Sequence, residues 1–84
     1  MAWRLEFRRS ALREFDRIPP PYRVRIEQVI AKLTENPFPA GSLKLQGRDE
    51  RRIRVGEYRV LYEVDKAEHR VIITAVRPRG VAYR

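Results

Sequence analysis

Polar and apolar residues alternate at the start of the chain, where Trp3, Leu5 and Phe7 are separated by Arg4 and Glu6 and followed by Arg8. A period of two predicts a first strand with one buried face. The period then changes. Ser10 stands where a helix N-cap would, and Leu12, Phe15 and Ile18 fall on one side of a short helix that Pro19-Pro20-Pro21 brings to an end. Beyond the prolines, Tyr22, Ile26, Val29, Ile30 and Leu33 recur at helical spacing. Asn36-Pro37 stops this second helix, because a residue before proline is pushed out of the α region. Two consecutive amphipathic helices predict a helical hairpin that packs through Leu12, Phe15, Ile26, Val29, Ile30 and Leu33.

Residues 37–41, Pro-Phe-Pro-Ala-Gly, read as a loop, and Leu43 and Leu45 as apolar anchors on either side of Lys44 before Gly47 turns the chain again. Strand-like patterning follows to the end. Residues 51–55 and 58–64 flank Gly56-Glu57, a two-residue connection with glycine first, as a type II′ hairpin prefers. That turn sets the register: Val55 faces Tyr58, Arg54 faces Arg59, Ile53 faces Val60 and Arg52 faces Leu61. Residues 65–68 form a polar turn, and residues 70–76 are apolar enough for a central strand covered on both faces. The predicted order is β-α-α-β-β-β, an α+β fold with a small, twisted, mainly antiparallel sheet and an N-terminal helical hairpin packed on it. Residues 1–84 are expected to form a single domain.

Composition narrows the classes. A chain of 84 residues, 43% hydrophobic and 36% charged, has enough apolar material for a core. That core is small, since a domain of this size buries only about 60% of its unfolded surface. Lys and Arg total 19 against 11 acidic residues, a formal charge of +8 that attracts polyanions at a distance. Nucleic acid leads, ahead of a membrane surface or an acidic protein. There is no cysteine, which excludes disulfides and thiolate metal sites and fits a reducing cytosol. Charges at every second position near the start leave no signal-peptide apolar region, and no apolar run approaches the ~20 residues of a membrane span. A cytoplasmic location is expected.

The arginines carry the candidate chemistry. The hairpin register puts Arg52, Arg54 and Arg59 on one face of the sheet, and Ile53, Val55, Val60 and Tyr62 on the other, where the helices can pack. Like charges directly opposite each other destabilise an antiparallel pair, an inconsistency that a bound anion would relieve. The bland reading is a solvated face screened by Glu57 or Glu63. Arg77, Arg79 and Tyr83 follow the last strand, where Pro78 and Gly80 predict a bend able to bring them back over the sheet. Arginine grips phosphate by planar, bidentate hydrogen bonding, and a tyrosine among guanidiniums has its phenol pKa drawn below its ordinary value by the surrounding positive charge. Together they suit a ribose hydroxyl beside a phosphodiester; the bland alternative is a packed Tyr83 ring and a frayed end. Lys44 and Arg51 lie beside the hairpin run and, with Arg79, are candidate RNA-backbone contacts. A lone histidine, His69, cannot make the acid–base pair of a common ribonuclease or a multi-histidine metal site, and glycine-rich nucleotide loops are absent.

Three segments, Lys44-Leu-Gln-Gly47, Arg52-Ile-Arg-Val-Gly-Glu-Tyr-Arg-Val-Leu-Tyr62 and Arg77-Pro-Arg-Gly-Val-Ala-Tyr83, resemble RelE-type toxins of prokaryotic toxin–antitoxin systems. The resemblance spans nearly the whole chain, and the second and third segments are fairly specific for the RelE/ParE superfamily. It implies a messenger RNA endoribonuclease that acts in the ribosomal A site without metal or cofactor and is held inactive by a cognate RelB-like antitoxin. By position, Arg52 and Arg54 fall where the family has basic phosphate ligands, often lysines, Arg59 matches the arginine of the G-x-Y-R segment, and Arg77 and Tyr83 match the C-terminal arginine and tyrosine. The implied reaction is attack of the ribose 2′-hydroxyl on the adjacent phosphorus, giving a 2′,3′-cyclic phosphate and a 5′-hydroxyl. Arg52 departs from a family lysine in a way that matters: a guanidinium stays charged, so its role is electrostatic and not that of a base. ParE-type relatives share the fold but inhibit DNA gyrase, and a catalytically inactive RNA-binding relative would keep the charge and lose the chemistry.

Overall fold

The alternating segment forms strand β1 (Arg4–Phe7), followed by helix α1 (Arg9–Asp16), helix α2 (Pro20–Glu35) and strands β2 (Ser42–Lys44), β3 (Glu50–Val55), β4 (Tyr58–Asp65) and β5 (Arg70–Pro78) in a computed structural model that describes residues 2–47 and 49–78. The five strands make one sheet in the order β1-β5-β4-β3-β2. β1 lies parallel to β5, and every other pairing is antiparallel. Among the described residues no helix is long and apolar enough to cross a membrane.

Both helices cover one face. Ile26, Ile30 and Leu33 of α2, one helical turn apart, pack with Val55, Val60, Tyr62, Val71, Ile73 and Val76 of the sheet, while Phe15 and Val29 sit at the margin of that core. The fully buried Tyr62 directs its hydroxyl to the Pro37 carbonyl oxygen at 2.7 Å, so the polar tip is satisfied by the loop that ends α2. Prolines at the first two positions of α2 lack N–H groups that would have no helical partner there, so they start the helix without cost.

Two expectations about α1 are corrected. Leu12 is 46% exposed and Ala11 is fully buried in its place, so the inward side of the helix is Ala11 and Phe15, with Ile18 buried just past its end. Periodicity misses this because alanine carries little hydrophobic weight, yet its small side chain lets the helix approach the sheet closely. Ser10 lies inside the helix, and the cap position belongs to Arg8, in extended backbone with no side-chain cap. The sheet also has one strand more than expected. Leu43 and Lys44 lie within β2, which is too short to show a period of two and is paired to β3 with Leu43 opposite Arg52.

The two hairpins have different logic. Gly56 adopts φ 59° and Glu57 is not in the left-handed region, the sign pattern of a type II′ turn, and the register is the expected one, with Arg54 opposite Arg59. Between β4 and β5 the loop closes on Asp65, whose carboxylate accepts from the Glu68 backbone N–H at 3.1 Å and from Arg70 Nε at 3.0 Å. His69 ends that loop in the left-handed region at φ 55° and stacks on Trp3, ring centroids 4.0 Å apart.

A β-bulge in β5 decides which residues face the helices and which face away from them. Leu61 pairs with Ala75 but Tyr62 pairs with Ile73, leaving Thr74 as the extra residue. An unbroken alternation would place Val71, Ile73, Ala75 and Arg77 on the same side. With the extra residue, Val71, Ile73 and Val76 enter the helix-covered core, and Ala75 and Arg77 move to the open face. The Thr74 hydroxyl donates to Glu50 Oε2 at 2.6 Å, tying the bulge across the open face to β3.

Candidate nucleic-acid interface

The open face carries the basic residues. Arg54, Arg59 and Arg77 are successive register partners on β3, β4 and β5, forming a row across the sheet, and Arg52 lies two residues from Arg54 on the same side. Neighbouring strands are about 4.8 Å apart, so the row spans roughly 10 Å. The last strand continues through Arg77 to Pro78, a correction to the expectation that Arg77 follows the strand. Its backbone is thereby fixed by the sheet. Arg54 is exposed, and Arg52, Arg59 and Arg77 are half-buried, which holds their stems against the sheet while the row faces outward.

A small cavity of about 150 Å³, bordered by Gly41, Leu43, Arg52, Arg54 and Arg59, opens on this row. It holds several times the ~30 Å³ share of one water molecule and suits a compact anion. A larger groove of about 520 Å³ lies at the other end of the row, between Glu14 of α1, Arg17 just past that helix, and Tyr58, Val76, Arg77 and Pro78. Arg77 faces it in an ion pair: its Nε donates to Glu14 Oε2 at 2.9 Å, and the other oxygen of the same carboxylate accepts from the backbone N–H of Val76 at 3.0 Å.

Glu14 was not singled out by the sequence pattern, although a signal was present. It stands three residues after the buried Ala11 and four before the buried Ile18, so a carboxylate falls beside the apolar stripe of a short helix. Such a group needs a partner, and Arg77 supplies it.

The structure separates Arg51 and Lys44 from the row. They are register partners of each other, and Arg51 also pairs with Tyr62, which puts both on the helix-side face. Arg51 donates to Ser42 Oγ at 3.0 Å and lies 5.1 Å from the Phe38 ring centroid, a packing arrangement at the end of the core. Arg79 and Tyr83, with the expected bend at Gly80, lie outside the described residues. The bland alternative has Glu57 or Glu63 screen the arginines, and Glu63 is instead paired with Arg8 at 3.1 Å.

The chain and its fold have counterparts among known proteins. The family model described as "ParE toxin of type II toxin-antitoxin system, parDE" matches residues 5–83. A Methanocaldococcus jannaschii protein named "Putative toxin RelE1" is 30% identical, over 100% of this chain and 98% of its own length. The toxin fold in the archaeal RelE–RelB complex from Pyrococcus horikoshii OT3 superposes with a TM-score of 0.85 at 26% identity, covering 96% of this chain and 99% of that one. The isolated E. coli RelE toxin gives a TM-score of 0.85 at 25% identity, covering 93% of this chain and 85% of its own.

Proposed function

The chain belongs to the ParE toxin family of type II toxin–antitoxin systems, and we propose that it acts as a RelE-type messenger RNA endoribonuclease in the ribosomal A site. The observation that carries the reading is the row Arg54–Arg59–Arg77 on the sheet face that the helices leave open, with Arg52 beside it. A phosphodiester laid on that row meets several guanidiniums already fixed by strand pairing. In the proposed reaction the 2′-oxygen attacks phosphorus as its proton leaves, the bond from phosphorus to the 5′-oxygen breaks, and that oxygen takes up a proton. Arg52, Arg54 and Arg59 stabilise the charge that grows on the phosphorane, and Arg77 the charge on the leaving oxygen. Tyr83 orients the 2′-hydroxyl or removes its proton. Because arginine is a poor proton-transfer group, the ribosome supplies alignment of the message, and naked RNA is a slow substrate.

A cognate RelB-like antitoxin is part of the proposal, since a face of like charges favours an acidic protein partner. The gyrase-inhibitor reading has one observation in its favour, the ParE description of the matching family model. One experiment separates the two. Purified protein is added to translating ribosomes and the RNA ends are mapped, with gyrase supercoiling assayed in parallel. Cleavage within A-site codons supports the endoribonuclease; intact message with slowed supercoiling replaces it by the gyrase inhibitor.

A further inference from the structure

We infer that Glu14 is a positioning residue that presents Arg77 to the RNA, an inference that rests on the endoribonuclease reading above. β1 pairs with β5 only as far as Phe7 opposite Ile73, and the Arg8 N–H to Ile73 carbonyl bond closes that ladder. Past this point no strand among the described residues flanks the outer side of β5, and α1 runs there instead. Glu14 takes over the work of the missing strand at one position, accepting the outward-facing N–H of Val76 at 3.0 Å. That bond fixes the carboxylate against the backbone, and the fixed carboxylate then holds Arg77 by Nε at 2.9 Å.

The choice of nitrogen matters. Among the described residues, the hydrogen bonding of Arg77 is through Nε, so Glu14 leaves the two terminal nitrogens of the fork for a phosphate. A backbone N–H can be satisfied by any acceptor. A negative group is required only for the guanidinium, and a side chain with this many rotatable bonds is costly to immobilise without such an anchor. The bulge at Thr74 and the Glu14 clamp therefore act on the same side chain in sequence: the first turns Arg77 to the open face, and the second fixes its reach.

Glu14→Gln separates the two bonds. Its amide oxygen can still accept from Val76, but its NH₂ then meets the Nε–H of Arg77, donor against donor. On translating ribosomes, E14Q should lower the maximal cleavage rate about tenfold with the concentration for half-maximal rate little changed, because Arg77 is misplaced and binding is not lost. In an Arg77→Ala background the same change should alter the rate by less than about twofold. Protection of the Val76 amide from hydrogen exchange should match the parent, reporting an intact strand. R77K, whose single ammonium cannot serve Glu14 and the RNA through separate nitrogens, should also fall about tenfold and tests the idea without touching α1. Parent-rate cleavage by E14Q or by R77K overturns the inference, as does an equal loss from E14Q with and without Arg77. A parent protein that cuts no message removes the endoribonuclease reading itself, and this inference with it.

Discussion

The open face of the sheet has two ends that treat like charges in opposite ways. At one end Glu50 stands opposite Glu63, and the molecule answers both within itself: Thr74 donates to Glu50 at 2.6 Å and Arg8 to Glu63 at 3.1 Å. Arg70 beside them bonds Glu6 at 2.7 Å and Asp65 at 3.0 Å. At the other end Arg54, Arg59 and Arg77 are placed side by side, Arg77 is held by Glu14, and Arg54 is exposed. Like-charged cross-strand pairs each cost up to about 1 kcal/mol. The first end spends its polar side chains on closing the sheet, and the second sets like charges side by side across three strands, with Arg54 turned outward. The difference teaches where a partner acts, because an anion stabilises only the second arrangement.

The comparison breaks most visibly at Tyr83. Tyr83→Phe removes one hydroxyl, so folding and RNA binding should match the parent while ribosome-dependent cleavage falls about a hundredfold, the scale of a positioned proton-transfer group. A parent rate in a single-turnover assay would return Tyr83 to a packing role. Salt gives the next effect. If about three phosphates are held by the row and its neighbours, log K for single-stranded RNA should fall with log salt at a slope of about −2, or roughly fifteenfold between 50 and 200 mM. A flat dependence in a fluorescence titration would detach the arginines from phosphate.

Much of this contrast was legible in the chain. The Gly56-Glu57 turn fixed the β3–β4 register, and that register placed Arg52, Arg54 and Arg59 on one face by counting alone. The bulge was not legible, because one extra residue in the apolar run from Val71 to Val76 changes no local preference and shows itself only in pairing. Glu14 and Arg77 are 63 positions apart, and nothing in a linear pattern couples them. Lys44 and Arg51 read as part of the basic run, but a period of two sends Arg51 to the face opposite Arg52, a step the counting allowed and the charge concealed.

The ion-paired end can be sharpened by smaller changes. Thr74→Val keeps the β-branched shape and loses the bond to Glu50, so unfolding in denaturant should show a loss of about 1 kcal/mol. No change would mean that the bulge is held by backbone pairing alone. The mildest effect concerns acid. The backbone N–H of Glu68, and then Arg70, hold the Asp65 carboxyl below its ordinary value of 3.8. A depressed carboxylate contributes stability that is complete above its unfolded pKa and is lost as pH falls through the lower folded value, so the effect is confined to pH below about 4. Asp65→Asn should therefore lower Tm at neutral pH slightly and reduce the further fall below pH 4, as thermal melts across that range would record.

The central claim, that one end of the face is built for an external anion and the other for the fold, is tested most directly by neutralising one arginine from each end and measuring both properties on each variant. Arg54→Gln should slow A-site cleavage about tenfold and raise stability by a few tenths of a kcal/mol, since a repulsive neighbour of Arg59 is removed. Arg8→Ala should leave cleavage at the parent rate and lower stability by about 0.5 kcal/mol, since Glu63 is left facing Glu50. Parallel losses of stability in both variants, with cleavage unchanged in the first, would contradict the account.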